Sequence, residues 1–118
     1  MGRSPKTPLP LKMSASITTK VSVTGWLNLG TQARTDGYTG SSILKEGTVL
    51  NLNATVAYLH ITADGSANPS TAANGLPIGT TSSTAPSSFF TLPRGTDINC
   101  VWINTSGAQD IKYSFTGA

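Results

Sequence analysis

From Ser16 to Thr24 apolar and polar residues alternate: Ile17, Val21 and Val23 fall on one face, and Thr18, Lys20, Ser22 and Thr24 on the other. A period of two marks a half-buried β-strand. Gly25 interrupts the alternation, and Trp26, Leu27 and Leu29 supply a second short apolar piece ending at Gly30. Thr31 to Ser42 reads as loop, with Asp36-Gly37 as its turn signal. Lys45-Glu46-Gly47 predicts a second turn, followed by the strongest strand signal in the chain, Thr48 to Asn53 and then Ala54 to Thr62. In the latter piece Thr55, Ala57, Leu59 and Ile61 share one face, and Val56, Tyr58, His60 and Thr62 the other. Two partly apolar faces suit a strand inside a sandwich.

A Gly/Pro/Ser/Thr/Asn-rich stretch, about 63–87, then contains only Leu76, Pro77 and Ile78 as an apolar island. Loops of that length inside a compact domain are usually functional or disordered. Three closely spaced strands finish the pattern, Ser88 to Leu92, Ile98 to Asn104 and Asp110 to Thr116, joined by turns at Pro93-Arg94-Gly95 and Thr105-Ser106-Gly107. No helical period of useful length interrupts them. Seven to nine short strands predict an all-β fold, an antiparallel β-sandwich of jelly-roll type, as a single domain over 16–118. Val21, Val23, Leu50, Leu52, Leu59, Ile61, Phe90, Val101, Trp102 and Phe115 are its expected core or buried interface.

Composition sharpens this picture. Only 11% of the 118 residues are charged, against about 25% in an ordinary globular protein. Disorder is excluded as the account of so polar a chain, because 37% is apolar and the net charge is only +3. The sequence has no apolar run long enough to span a bilayer and no apolar stretch of signal-peptide type near its start, so a cytoplasmic site of synthesis and no membrane partner are expected. Cys100 is the single cysteine, so no internal disulfide can form and stability must come from packing or from neighbouring chains.

The chemistry of an enzyme is hard to assemble from these residues. Five carboxylates and one histidine offer little for a convergent acid–base site. Asp36, Glu46, Asp64 and Asp97 each sit beside a turn glycine or a threonine, where solvated or capping carboxylates belong. His60 has no second histidine with which to build a typical metal site and reads as a partly buried strand residue. Cys100, spaced with Ile98 and Trp102, reads as a small hydrophobe. Asp64-Gly65-Ser66-Ala67-Asn68 opens like a calcium loop, but Pro69 and Gly75 stand where glycine and glutamate are required. No catalytic residue, metal or cofactor is expected.

Charge is concentrated at one end. Arg3, Lys6, Lys12 and Lys20 give the first twenty residues +4, whereas residues 21–118 hold four basic and five acidic side chains. Within residues 1–15, Pro5, Pro8 and Pro10 favour an extended polyproline-type path. The expectation is a basic arm that straps onto an acidic protein surface, with Arg3, Lys6, Lys12 and the three prolines making the contact. Four charges without interleaved aromatics do not make nucleic acid the expected target. In the long loop, Asn68, Pro69 and Asn74 are the candidate contact residues.

With the strands placed, Ile43 to Phe115 resembles the small β-sandwich accessory proteins of tailed-bacteriophage virions, in particular capsid decoration or cement proteins. The resemblance is carried by the organisation of Val56-Ala57-Tyr58-Leu59-His60-Ile61-Thr62, Gly75-Leu76-Pro77-Ile78, Ser88-Phe89-Phe90-Thr91-Leu92 and Asn99-Cys100-Val101-Trp102-Ile103. It implies a jelly-roll-like fold, a homodimer or homotrimer, and attachment to the major capsid protein or another virion protein at the capsid surface, after synthesis in a host cytoplasm. Such proteins act by binding alone. The rival reading is a tail-fibre, tail-associated or carbohydrate-binding module, which would present exposed aromatics, with Trp26, Tyr38 and Tyr113 as the candidates.

Overall fold

The computed structural model describes residues 15–53, 55–63, 65, 69, 71–79 and 88–118. Their architecture consists of β1 (Ser16–Asn28), α1 (Leu29–Thr35), β2 (Leu44–Asn51), β3 (Ala57–Ile61), β4 (Leu76–Ile78), β5 (Phe89–Leu92) and β6 (Val101–Gly117), with 3-10 turns at Ala72–Asn74 and Ile98–Cys100. Every strand pairing is antiparallel.

The sheet is organised by β6. One edge of this strand pairs with β1 from Ser16↔Thr116 to Asn28↔Trp102. Its other edge is shared, with β2 along Ile111 to Gly117 and β3 along Val101 to Asn104. β5 extends the sheet beyond β2, and β4 extends it beyond β3. The two strands expected at Ile98 to Asn104 and Asp110 to Thr116 are thus one strand entered through a 3-10 turn, and the Thr105-Ser106-Gly107 segment does not reverse the chain.

What that segment does is bulge. Between Val23↔Gln109 and Gly25↔Thr105, two steps of β1 face four steps of β6. An even excess preserves the inward parity, so Thr105 and Gln109 are both buried, in line with Val101, Ile103, Ile111, Tyr113 and Phe115. Opposite the bulge stands Gly25, at a φ of 73°, a left-handed conformation that an L side chain adopts only under strain. The glycine therefore bends β1 instead of ending it. Bulges of this kind kink a strand and sharpen its twist.

The consequence is a folded ribbon. Asn28 pairs with Trp102, yet Asp36, just beyond the helix, accepts a hydrogen bond from Tyr113. Eleven residues of straight strand would cover roughly 36 Å, whereas seven helical residues cover about 10 Å. The ribbon must turn over on itself, as strands do at the corners of orthogonally packed sheets. The sheet comes close to closure around one core cluster. The antiparallel all-β class holds; two sheets arranged as a jelly roll are a finer expectation than this single hydrogen-bonded network supports.

Helix α1 fills the concave side. Asn28 caps it by accepting from the Thr31 N–H at 2.9 Å, and Leu29 and Ala33, one turn apart, are fully buried. Gly30 allows the helix to lie on the Ile98–Asn99 backbone, since a Cβ there would stand 2.6 Å from the Ile98 oxygen. The stretch expected to be loop from Thr31 onward is helical through Thr35, and Asp36-Gly37 is where the helix stops.

The expected core divides by face. Val23, Leu59, Val101 and Phe115 are fully inside, while Val21 and Phe90 are half-buried against them. Leu50 and Trp102 are half-buried on the convex face, and Leu52 and Ile61 are exposed by 46% and 43%. Leu52, just past the end of β2, continues the outward parity of Leu50, whereas Ile61 keeps the inward parity of Ala57 and Leu59 but is the last residue of β3, where cover has ended.

Candidate interaction surfaces

On the convex side three aromatic rings meet, and the 3-10 turn at Ala72–Asn74 is bonded to one of them, His60. Trp26 of β1, Trp102 of β6 and His60 of β3 come from hydrogen-bonded neighbours and are each half-buried. The Trp26 and His60 centroids lie 5.1 Å apart, and those of Trp26 and Trp102 6.4 Å apart, both edge to face. His60 Nε2 is 2.9 Å from the Ala72 carbonyl oxygen. A carbonyl can only accept, so Nε2 carries the proton and donates. Farther back, the Thr62 hydroxyl donates to the Cys100 carbonyl and accepts from the Gly65 N–H. The rings form a satellite cluster, tied through His60 to the 3-10 turn at Ala72–Asn74.

Between this turn and the end of β3 lies an open cleft of about 310 Å³, lined by His60, Ile61, Thr62, Pro69, Asn74 and Leu76 among others. Two of the residues expected to contact a partner, Pro69 and Asn74, meet here, beside the exposed side chains of Ile61 and Leu76. Asn68 lies outside the described residues, as do Arg3, Pro5, Lys6, Pro8, Pro10 and Lys12 of the arm.

The other half of the convex face is hydroxyl-rich. Pairing registers set Thr18, Ser114, Thr48 and Thr91 in one row across β1, β6, β2 and β5. The Thr18 and Ser114 hydroxyls are hydrogen-bonded at 2.9 Å. Ser16, Thr116 and Glu46 form the next row on one side, and Lys20, Lys112, Leu50 and Phe89 on the other. The central row carries no charge; Glu46 stands in one flanking row and the opposed Lys20 and Lys112 in the other, with Lys20 and Asp110 3.6 Å apart. Phe89, 53% exposed, ends the apolar side of the lysine row. The row cannot be read before the strands are registered.

Titratable groups do not gather. Among the described residues no three His, Cys, Asp or Glu side chains come together. Asp97 caps the turn before β6 by accepting from the Asn99 N–H, and Cys100 is half-buried in that turn rather than in the core proper. Asp36 accepts from the Tyr113 hydroxyl at 2.5 Å; burial, with that bond and the carboxylate charge, pushes the Tyr113 phenol far above its ordinary range. Burial also raises the Tyr38 phenol, opposed by the Arg34 charge, and the Tyr38 hydroxyl donates to the Ser41 carbonyl at 2.6 Å.

Of the aromatics proposed to stack on a sugar, Tyr38 and Tyr113 are therefore core residues, 3% and 0% exposed. Trp26 is packed edge-on between His60 and Trp102. Comparison with protein-family models, curated proteins and solved structures finds no match. Function must be argued from these surfaces alone.

Proposed function

We propose that this protein is a virion accessory protein, a capsid decoration or cement protein that binds over joints between capsid subunits and stabilises the shell by binding alone. The observation that carries this reading is the four-strand hydroxyl face around Thr18, Ser114, Thr48 and Thr91. A sheet face kept for solvent ordinarily mixes charges of both signs, whereas interface centres are depleted in Lys, Glu and Asp. Here neutral donor–acceptor groups occupy the central row, with Glu46 in one flanking row, Lys20 and Lys112 in the other, and Phe89 exposed at one margin. The central row can exchange water for the polar groups of a large neighbouring surface without itself desolvating a charge.

The finer parts of the reading belong with it: a jelly-roll-like arrangement, self-association, the major capsid protein or another virion protein as partner, and the capsid surface as location. The basic residues Arg3, Lys6 and Lys12 would add a second attachment. Many copies, each contributing modest contacts, sum to a large resistance of the shell to opening. The carbohydrate-binding alternative loses support from the burial of Tyr38 and Tyr113.

Thr48→Arg and Ser114→Arg test the face directly. Both positions are half-buried on the convex side, where a long side chain can lie along the surface. The expected result, by sedimentation with shells of the virus that encodes the protein, is occupancy reduced about ten-fold or more with circular dichroism unchanged. Equal occupancy by wild type and both variants would remove the face from the mechanism.

A further inference from the structure

We infer that the free edge of β1 is a self-association site that pairs with β1 of a second copy of this chain. Among the described residues β1 pairs as a strand only with β6, which leaves its other edge open along Ser16 to Val23. An open edge of that length is a template for another strand, and proteins that remain monomeric blunt it with proline, charge or a bulge. Here no proline occurs between Ser16 and Asn28, and the only charged residue in the strand, Lys20, is turned toward Asp110 of the neighbouring strand. The bulge at Gly25 protects only the far end. The inward row is also incompletely covered: Ile17 and Val21 pack against the core yet remain half-buried, unlike Val23 at 2% exposure.

The occupant follows from the sequence of the edge itself. An antiparallel pair of identical strands has a two-fold axis, and centring that axis on Thr19 sets Ile17 opposite the second copy's Val21 on the inward face. On the outward face Thr18 meets Lys20, and Ser16 meets Ser22. Each cross-strand pair is then β-branched with β-branched, hydroxyl with hydroxyl, or threonine with lysine, and no like charges oppose. A two-fold axis perpendicular to the sheet keeps both hydroxyl faces on the same side. The order becomes β5-β2-β6-β1 followed by its mirror sequence in the second copy, one continuous surface of eight strands.

Charge at position 18 tests both the pairing and its register. Thr18 is exposed and its bond to Ser114 is lost equally in either variant, so Thr18→Lys and Thr18→Glu differ only in the sign of the charge facing Lys20 of the second copy. Sedimentation equilibrium of the full chain should show a wild-type dimer. In Thr18→Lys two like-charge pairs should weaken it about two- to thirty-fold, and Thr18→Glu should tighten it over a similar range. Both effects should shrink as salt is raised. Oxidation of Thr19→Cys in a Cys100→Ser background should give a disulfide-linked dimer. A wild-type monomer at high protein concentration would overturn the inference, as would a dimer whose affinity ignores the sign of the charge at position 18. Shell binding is measured separately, so neither result depends on the function proposed above.

Discussion

The bond between Tyr113 and Asp36 closes the folded ribbon, and its removal by Tyr113→Phe makes a quantitative test. The ring is fully buried and stacks at 4.9 Å from Phe115, so phenylalanine keeps the packing and deletes only the hydroxyl. Hydrogen bonds to charged groups contribute about 1.5–3 kcal/mol net. Asp36 is exposed and can return to water, so the low end of that range, about 1.5–2 kcal/mol, is expected. For a domain of this length that is a fall in Tm of roughly 3–10 °C.

The pH dependence carries the sharper signature. The folded phenol titrates well above the unfolded one, so its stabilisation is complete below the unfolded value near 10 and is lost as pH rises beyond it. The loss is about 1.4 kcal/mol per pH unit, so the advantage of wild type over Tyr113→Phe at about pH 8 should nearly vanish by about pH 11. The elevated Tyr38 titration is common to both proteins and cancels in the difference. Thermal unfolding of the pair across that range is the measurement. A stability difference that stays constant from pH 8 to about 11, or ionisation of Tyr113 near pH 10 with the fold intact, would refute the reasoning.

Leu59→Ala should cost about 2–5 kcal/mol, whereas Ile61→Ala, two residues along the same strand, should cost under about 1 kcal/mol, as read by denaturant unfolding. Gly25→Ala should destabilise by about 1–2 kcal/mol through backbone strain alone, because its new methyl group meets nothing within 4 Å. His60→Ala should leave global unfolding within about 1 kcal/mol of wild type while raising hydrogen exchange and proteolysis between Thr62 and Gly75, since it removes the bond to Ala72 and one ring of the aromatic cluster.

Strand identity was largely legible in the sequence. Alternation placed β1, β5 and the body of β3 within a few residues, because those segments are covered on one face and wet on the other. Two interruptions were misjudged for the same reason. Gly25 and Ser106-Gly107 carry local turn chemistry, but they face each other across one pairing, where the same preferences produce a bulge. Helix α1 was missed because two turns offer only Leu29 and Ala33 as a period; the Asn28 cap was its available signal. Trp26, His60 and Trp102 are far apart in sequence, and their meeting required the register of three strands. Burial of Tyr38 and Tyr113 was likewise hidden, since a tyrosine on a strand looks the same whether its hydroxyl finds Asp36 or water.

The position of β6 has a consequence for how the chain reaches this state. Thr18 and Ser114, partners in adjoining strands, stand 96 positions apart, and β1 has no other strand to pair with among the described residues. β1 must therefore wait for β6 before its backbone groups are paired, while β2 and β3 can pair with β5 and β4 but join one sheet only through β6, and loop closure over that distance precedes any reward from contact. Folding should be slow for so small a domain and nearly all-or-none. A chain cut before Val101 would keep the β2–β5 and β3–β4 pairings but lose the strand that joins them and β1 into one sheet, presenting unpaired edges that favour aggregation.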